Sequence, residues 1–231
     1  MKVLLTIFLF LPAFLFSEES LFKKGEDYFL NNKPEQAITA LEASVAAEEV
    51  DARAFLYLGI AYEQTGLYDK AIDAFERGID KKGADRAMFL VNIGNNYVRK
   101  KESQKAVEYY TKALKEDSSN TYAVRNRANE YLRLEEYDKA LSDYKLYLTL
   151  EPDAYQKDRI EKVIALLENK LDEIAKQKLE EERKRLAEEK KQQELLDRVL
   201  NSLNNASEDT TNLSAGSEDV QQYSDNFDIV D

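Results

Sequence analysis

The sequence predicts an all-α array of about four stacked helical hairpins, followed by a long charged helix and an acidic tail. Three observations lead there. Small residues recur at a fixed period, with Gly25, Gly59, Gly94 and Ala128 separated by steps of 34, 35 and 34 residues. Other slots keep the same register: a tyrosine slot at Tyr28, Tyr62, Tyr97 and Tyr131, and an alanine slot at Ala37, Ala71, Ala106 and Ala140. Each period also holds two amphipathic patterns around a break. Across the break at Thr65-Gly66, Phe55, Leu58, Gly59 and Tyr62 share one helical face, and Ala71, Phe75 and Gly78 share the next. Two helices per unit at this period describe hairpins that stack into a continuous core.

The chain divides in order. Met1-Lys2 precedes an apolar run, Val3 to Phe16, and then polar Ser17-Glu18-Glu19-Ser20. A positive start, a short apolar core and a small residue at its exit predict a secretory signal peptide over 1–17, cut near Ser17. The run is shorter than the ~20 residues that span a bilayer, and Pro12 interrupts it, so cleavage is favoured over a retained anchor. The four hairpins follow at 18–51, 52–85, 87–120 and 121–154. The first turns at Asn31-Asn32-Lys33-Pro34, with Pro34 suited to a first helical turn. Lys81 to Asp85 carries the one-residue insertion, a change that loops tolerate. The third hairpin turns at Lys100 to Ser103, the fourth at Glu135 to Asp138, and Glu151-Pro152-Asp153 closes the array.

Residues 155–203 are expected to form a capping helix and its charged extension, with Asp153 as a candidate cap. Ile160, Ile164, Leu167, Leu171 and Ile174 keep an apolar seam that would seal the last hairpin. Beyond Ala175 the seam gives way to charge. Glu180–Lys184 and Glu181–Arg185 have the spacing and order that support a solvated helix. Lys178, Glu181 and Arg185 on the seam disfavour a continuous coiled coil and favour a spacer. Leu195, Leu196, Val199, Leu200 and Leu203 then restore a stripe. From Asn204 to Asp231 the chain has no Lys or Arg and seven acidic residues, a composition expected to be disordered.

Composition excludes several functions. A formal net charge of −12 argues against a nucleic-acid partner. With no Cys and no His, there are no disulfides, thiolate zinc sites or His-dependent triads. No phosphate-loop, dinucleotide, zincin or calcium-loop motif is present. The chain is therefore expected to be no enzyme and to need no cofactor or metal.

The recurring slots resemble the tetratricopeptide repeat (TPR) family over Glu18 to about Ala154. The second-helix aromatic slot holds Leu41, Phe75, Tyr110 and Tyr144, and the closing proline occurs once, as Pro152. The usual leading tryptophan is replaced by Leu21, Phe55, Leu90 and Val124. A small residue in the first helix is expected to let the alanine of its partner helix approach closely. The resemblance implies a right-handed superhelix whose first helices line a concave groove for a peptide or partner helix. By register, the groove positions are Glu19, Phe22, Glu26 and Phe29 in the first copy and Arg53, Leu56, Ile60 and Glu63 in the second. The third gives Met88, Val91, Asn95, Val98 and Arg99, and the fourth Tyr122, Arg125, Asn129, Leu132 and Arg133.

Asn95, Arg99, Tyr122, Arg125, Asn129 and Arg133 form the candidate peptide site. Arginine offers planar bidentate donors to a carboxylate, and asparagine amides can bond a peptide backbone. Family members that grip chain-terminal carboxylates use basic residues where this chain has Phe22 and Leu56, so a two-carboxylate clamp is incomplete. The expected function is a non-catalytic protein-binding adaptor of the cell envelope, exported to the periplasm or beyond. The alternative is a structural spacer that self-assembles through the long helix. The acidic peptide Asp225 to Asp231 is a further candidate ligand for the groove, which would give weak self-association.

Overall fold

The computed structural model describes residues 13–46 and 50–215, with side chains at 21–46 and 50–206. Its helices follow one another as α1 (Ala13–Leu30), α2 (Pro34–Ser44), α3 (Ala52–Gln64), α4 (Tyr68–Gly78), α5 (Arg86–Arg99), α6 (Ser103–Glu116), α7 (Thr121–Arg133), α8 (Tyr137–Leu150) and α9 (Lys157–Ala215). No strand occurs among the described residues. The pairs α1–α2, α3–α4, α5–α6 and α7–α8 are the hairpins, and each second helix also packs on the first helix of the next pair. The first helices α1, α3, α5 and α7 touch in succession, so they form one layer, and the second helices lie outside it.

One turn chemistry closes every hairpin. The second residue past the first helix takes a left-handed backbone at Asn32 (φ 54°), Gly66 (φ 77°), Lys101 (φ 63°) and Glu135 (φ 58°). The next amide then donates to the carbonyl of the tyrosine slot: Lys33 to Tyr28, Leu67 to Tyr62, Glu102 to Tyr97 and Glu136 to Tyr131, each at 2.9 Å. These bonds satisfy carbonyls that a helix end leaves open. Only Gly66 adopts this backbone without steric cost. Between hairpins the next helix is capped by a side chain. Asp51 accepts from the Arg53 amide, Asp85 from Met88 and Asn120 from Ala123, at 2.8, 3.0 and 2.9 Å.

The glycine slot meets a different partner from the one expected. A Cβ on Gly25 would lie 2.6 Å from the Leu41 side chain, one on Gly94 2.6 Å from Tyr110, and one on Gly59 inside the Phe75 ring's contact shell. The glycines therefore make room for the aromatic slot rather than for Ala37, Ala71 or Ala106. The buried alanines let the paired backbones approach elsewhere. In the fourth hairpin Ala128 takes the slot against α8, and Ala128, Ala140 and Tyr144 share one buried cluster.

The residues from 13 to 171 form one compact unit. Three buried clusters run through it, and the last joins Tyr144 and Tyr147 to Ile160 and Leu167 of α9. Ile160 and Leu167 of the seam thus pack on the last hairpin. Asp153 is not the cap. It lies in the turn between α8 and α9 with the exposed Pro152, four residues ahead of the helix start at Lys157.

The second unit is Asp172–Asp231, of which α9 is described to Ala215. Helix continues past Leu203, so 204–215 departs from the expected tail. Propagation adds one hydrogen bond per residue once a helix exists, which offsets the weak propensity of Asn, Ser and Thr there. Glu180 pairs with Lys184 at 3.8 Å as expected, but Arg185 pairs with Glu182 and Glu189 and not with Glu181. Leu195, Leu196, Val199, Leu200 and Leu203 are exposed.

Residues 1–12 and 216–231, which include most of the expected signal peptide and the acidic peptide at 225–231, lie outside the described residues. α1 begins at Ala13, ahead of the expected cut. No helix of the described residues is long and apolar enough to cross a membrane.

Candidate functional site

The inner faces of α3, α5 and α7 enclose a cleft of about 480 Å³. Its lining includes four of the six predicted site residues, Asn95, Arg99, Asn129 and Arg133, together with Glu63, Val98 and Leu132. Register alone brought these together, because residues one repeat apart fall on adjacent first helices. Arg125 lines a second cleft instead, and Tyr122 lies outside both, 65% exposed and beside the Arg125 guanidinium.

A repeated hydrogen bond sets the polarity of the asparagines. The Tyr110 hydroxyl donates to Asn95 Oδ1 at 2.8 Å, and one repeat later the Tyr144 hydroxyl donates to Asn129 Oδ1 at 2.7 Å. Asn126 Nδ2 also donates to Asn95 Oδ1, at 3.0 Å. With their oxygens occupied, Asn95 and Asn129 keep Nδ2, and no acceptor among the described residues takes it. Two carboxamide donors thus stand one repeat apart in one cleft. The tyrosines are held as donors. Burial, with a smaller contribution from the Glu130 charge, pushes the Tyr110 hydroxyl well above its ordinary value. Burial also raises Tyr144, against an opposing pull from Arg159.

The arginines are less free than the sequence suggested. Arg99 lies 3.8 Å from Glu63, and Arg133 lies 3.4 Å from Glu130, whose residue is 2% exposed. Both carboxylates are anchored by other groups. Asn96 Nδ2 donates to Glu63 at 3.2 Å, and Ser103 Oγ donates to Glu130 at 2.6 Å. Three arginines converging on one carboxylate is therefore not the arrangement found. Arg99 and Arg133 carry their own anions, and Arg125 belongs elsewhere. Sequence reasoning missed Tyr110, Asn126 and Glu130 as cleft residues. The Glu130–Arg133 spacing was a readable signal; the buried Ser103 contact was not.

Behind the cleft, Arg127 makes a bidentate pair with Asp143 at 2.7 and 2.8 Å and donates to Thr111 at 3.1 Å. Burial lowers the Arg127 guanidinium, but the Asp143 bonds outweigh it and leave it above its ordinary value. The pair ties α7 to α8. Among the described residues no group of three or more carboxylates could hold a metal ion. The cleft can offer amide donors, apolar contact and compensated charge to an extended ligand.

Residues 22–86 and 91–156 match the family model described as tetratricopeptide repeat. The chain belongs to the TPR family. It is 26% identical over 130 residues to anaphase-promoting complex subunit 3 of Schizosaccharomyces pombe (strain 972 / ATCC 24843), covering 56% of this chain and 19% of that one. It is 28% identical over 141 residues to tetratricopeptide repeat protein 21B of Mus musculus, covering 61% of this chain and 10% of that one. The TPR chain described here thus spans less than a fifth of either curated relative. A crystal structure of MamA superposes with a TM-score of 0.55 at 27% identity, over 58% of this chain and 78% of that one. A second MamA structure gives 0.57 at 23% identity, over 68% and 84%, a likeness of fold.

Proposed function

We propose that this TPR array is a non-catalytic adaptor that binds an extended peptide of a partner protein along its concave face. The observation that carries this reading is the pair of Nδ2 donors on Asn95 and Asn129, oriented by Tyr110 and Tyr144 and left without acceptors one repeat apart. An extended chain presents backbone carbonyls that such donors can bond, while Val98 and Leu132 offer apolar contact to its side chains. The TPR fold supports protein binding in general. The pattern of a positive start and short apolar core at Met1 to Phe16 supports work in the cell envelope. A native amino terminus near Glu18 would accord with that location, and an intact Met1 in the cytoplasm would contradict it.

The test is selection of peptides from a displayed random library on the full chain, followed by titration against Asn95→Ala/Asn129→Ala. Loss of the selected peptides by at least about tenfold, with the helical spectrum unchanged, is expected for two lost hydrogen bonds. Peptides that bind the double variant as well as the wild type would overturn the groove reading.

A further inference from the structure

Between residues 13 and 171 the chain has eight arginines, and six of them form ion pairs: Arg53, Arg77, Arg86, Arg99, Arg127 and Arg133. The two exceptions are Arg125 and Arg159, which have no ion-pair partner among the described residues. Both line the same cleft, of about 410 Å³, between α7, α8 and the first turns of α9. The chain has 45 Asp and Glu against 33 Lys and Arg, so carboxylates are the more abundant partner. Two uncompensated arginines in one cavity stand against that excess.

The cleft is built rather than incidental. Arg125 lies on α7 with its guanidinium carbon 5.7 Å from the Tyr122 ring centroid and 5.9 Å from that of Tyr147, so aromatic faces flank it where a carboxylate would otherwise sit. Arg159 comes from the capping helix. Its charge is felt at the Tyr144 hydroxyl, the group that orients Asn129. Asn129 and Leu132 line both this cleft and the one between α5 and α7, so the two adjoin. Val163 and the nearly buried Ile160 supply apolar wall beside the arginines.

We infer that the cleft between the last hairpin and the capping helix is the acidic-residue subsite of the groove. It takes an Asp or Glu side chain of an extended peptide between Arg125 and Arg159, with an adjacent apolar side chain on Leu132 and Val163. This rests on the groove reading above and adds what that reading lacks, the seat of a carboxylate. Arg99 and Arg133 are poorer seats, because a ligand anion there would compete with Glu63 and Glu130. A free guanidinium pair gives charge-assisted, bidentate bonds without that competition. The capping helix thereby becomes part of the binding surface as well as a seal for the array.

The probe is a fluorescently labelled, amidated peptide with the sequence of residues 223–230, which sets Asp225 and Asp228 among Phe227, Ile229 and Val230. Its twin carries Asn at both acidic positions. Anisotropy titrations use the full chain as wild type and as Arg159→Gln, Arg125→Gln/Arg159→Gln, Arg86→Gln and Asn95→Ala/Asn129→Ala. The expected result is saturable binding of the acidic peptide, weakened about tenfold by Arg159→Gln and more by the double arginine variant. Arg86→Gln should change it by no more than about twofold, because that arginine lines neither cleft and is already paired with Asp80 and Glu116. On the wild type, the Asn twin should bind as weakly as the acidic peptide binds the double arginine variant. If binding survives the double arginine variant but not Asn95→Ala/Asn129→Ala, the subsite is overturned and the groove stands. If neither peptide binds any of the proteins, the subsite and the groove reading both fall. Arg159 is exposed and Arg125 partly so, hence an unchanged helical spectrum is expected throughout.

Discussion

Gly59→Ala isolates the contact on which the hairpin geometry depends. A Cβ at this position would press on three ring atoms of Phe75, whose residue is 0% exposed and has no space to retreat into. Alanine favours the helix by about 0.8–1.0 kcal/mol over glycine. Overpacking a filled core costs about 1–3 kcal/mol. The net expectation is a loss of up to about 2 kcal/mol, and Gly59→Leu should lose more. In a Phe75→Val background the ring atoms are gone, so the same Gly59→Ala change should become stabilising by up to about 1 kcal/mol. Urea unfolding followed by circular dichroism on the four proteins gives the coupling directly. Because neighbouring hairpins stack, the loss should appear as one transition shifted as a whole. A Gly59→Ala change that stabilises equally in both backgrounds would show that the Phe75 ring does not lean on α3.

Lys101→Gly should raise stability by about 0.5–1 kcal/mol, since glycine adopts the φ of 63° without the steric cost that lysine bears; thermal unfolding measures it, and a lower midpoint would refute the turn assignment. Arg127→Leu should cost about 3–5 kcal/mol by leaving the buried Asp143 unpaired, and Arg127→Leu/Asp143→Leu should recover most of the loss; equal losses in the single and double variants would contradict this. Alkaline stability follows from Tyr110. Its folded value is raised, so its contribution is intact below the ordinary tyrosine value of 10.0 and is lost as pH rises toward the folded one. Urea stability should therefore fall above pH 10, less steeply in Tyr110→Phe, and an identical pH profile for the two would refute the burial argument.

The fold was legible because its signals repeat. Four copies of the glycine, tyrosine and alanine slots fixed the hairpin count and the register that places Asn95 beside Asn129. The hairpin turns were located but not explained, since nothing local in Lys101 or Glu135 announces a left-handed backbone; the tertiary pairing imposes it. The glycine's true partner was misjudged, because spacing along the chain does not tell whether Ala71 or Phe75 crosses at Gly59. The arginines illustrate the same limit at the site. Their positions could be read, but whether each is neutralised depends on anions distant in sequence, Glu63 for Arg99 and, among the described residues, none for Arg125. Arg159 stood in a helix read only for its apolar seam, so its place in a cleft became visible when α9 was seen against α7.

The most direct test of the account is amide hydrogen–deuterium exchange on the full chain, with and without a saturating selected peptide. The concave-groove account predicts added protection at residues 86–99 and 121–133, the inner helices α5 and α7, with the outer helix α4 at residues 68–78 unchanged. Protection confined to α4 or to residues 172–215 of α9, with α5 and α7 exchanging as in the free protein, would contradict it.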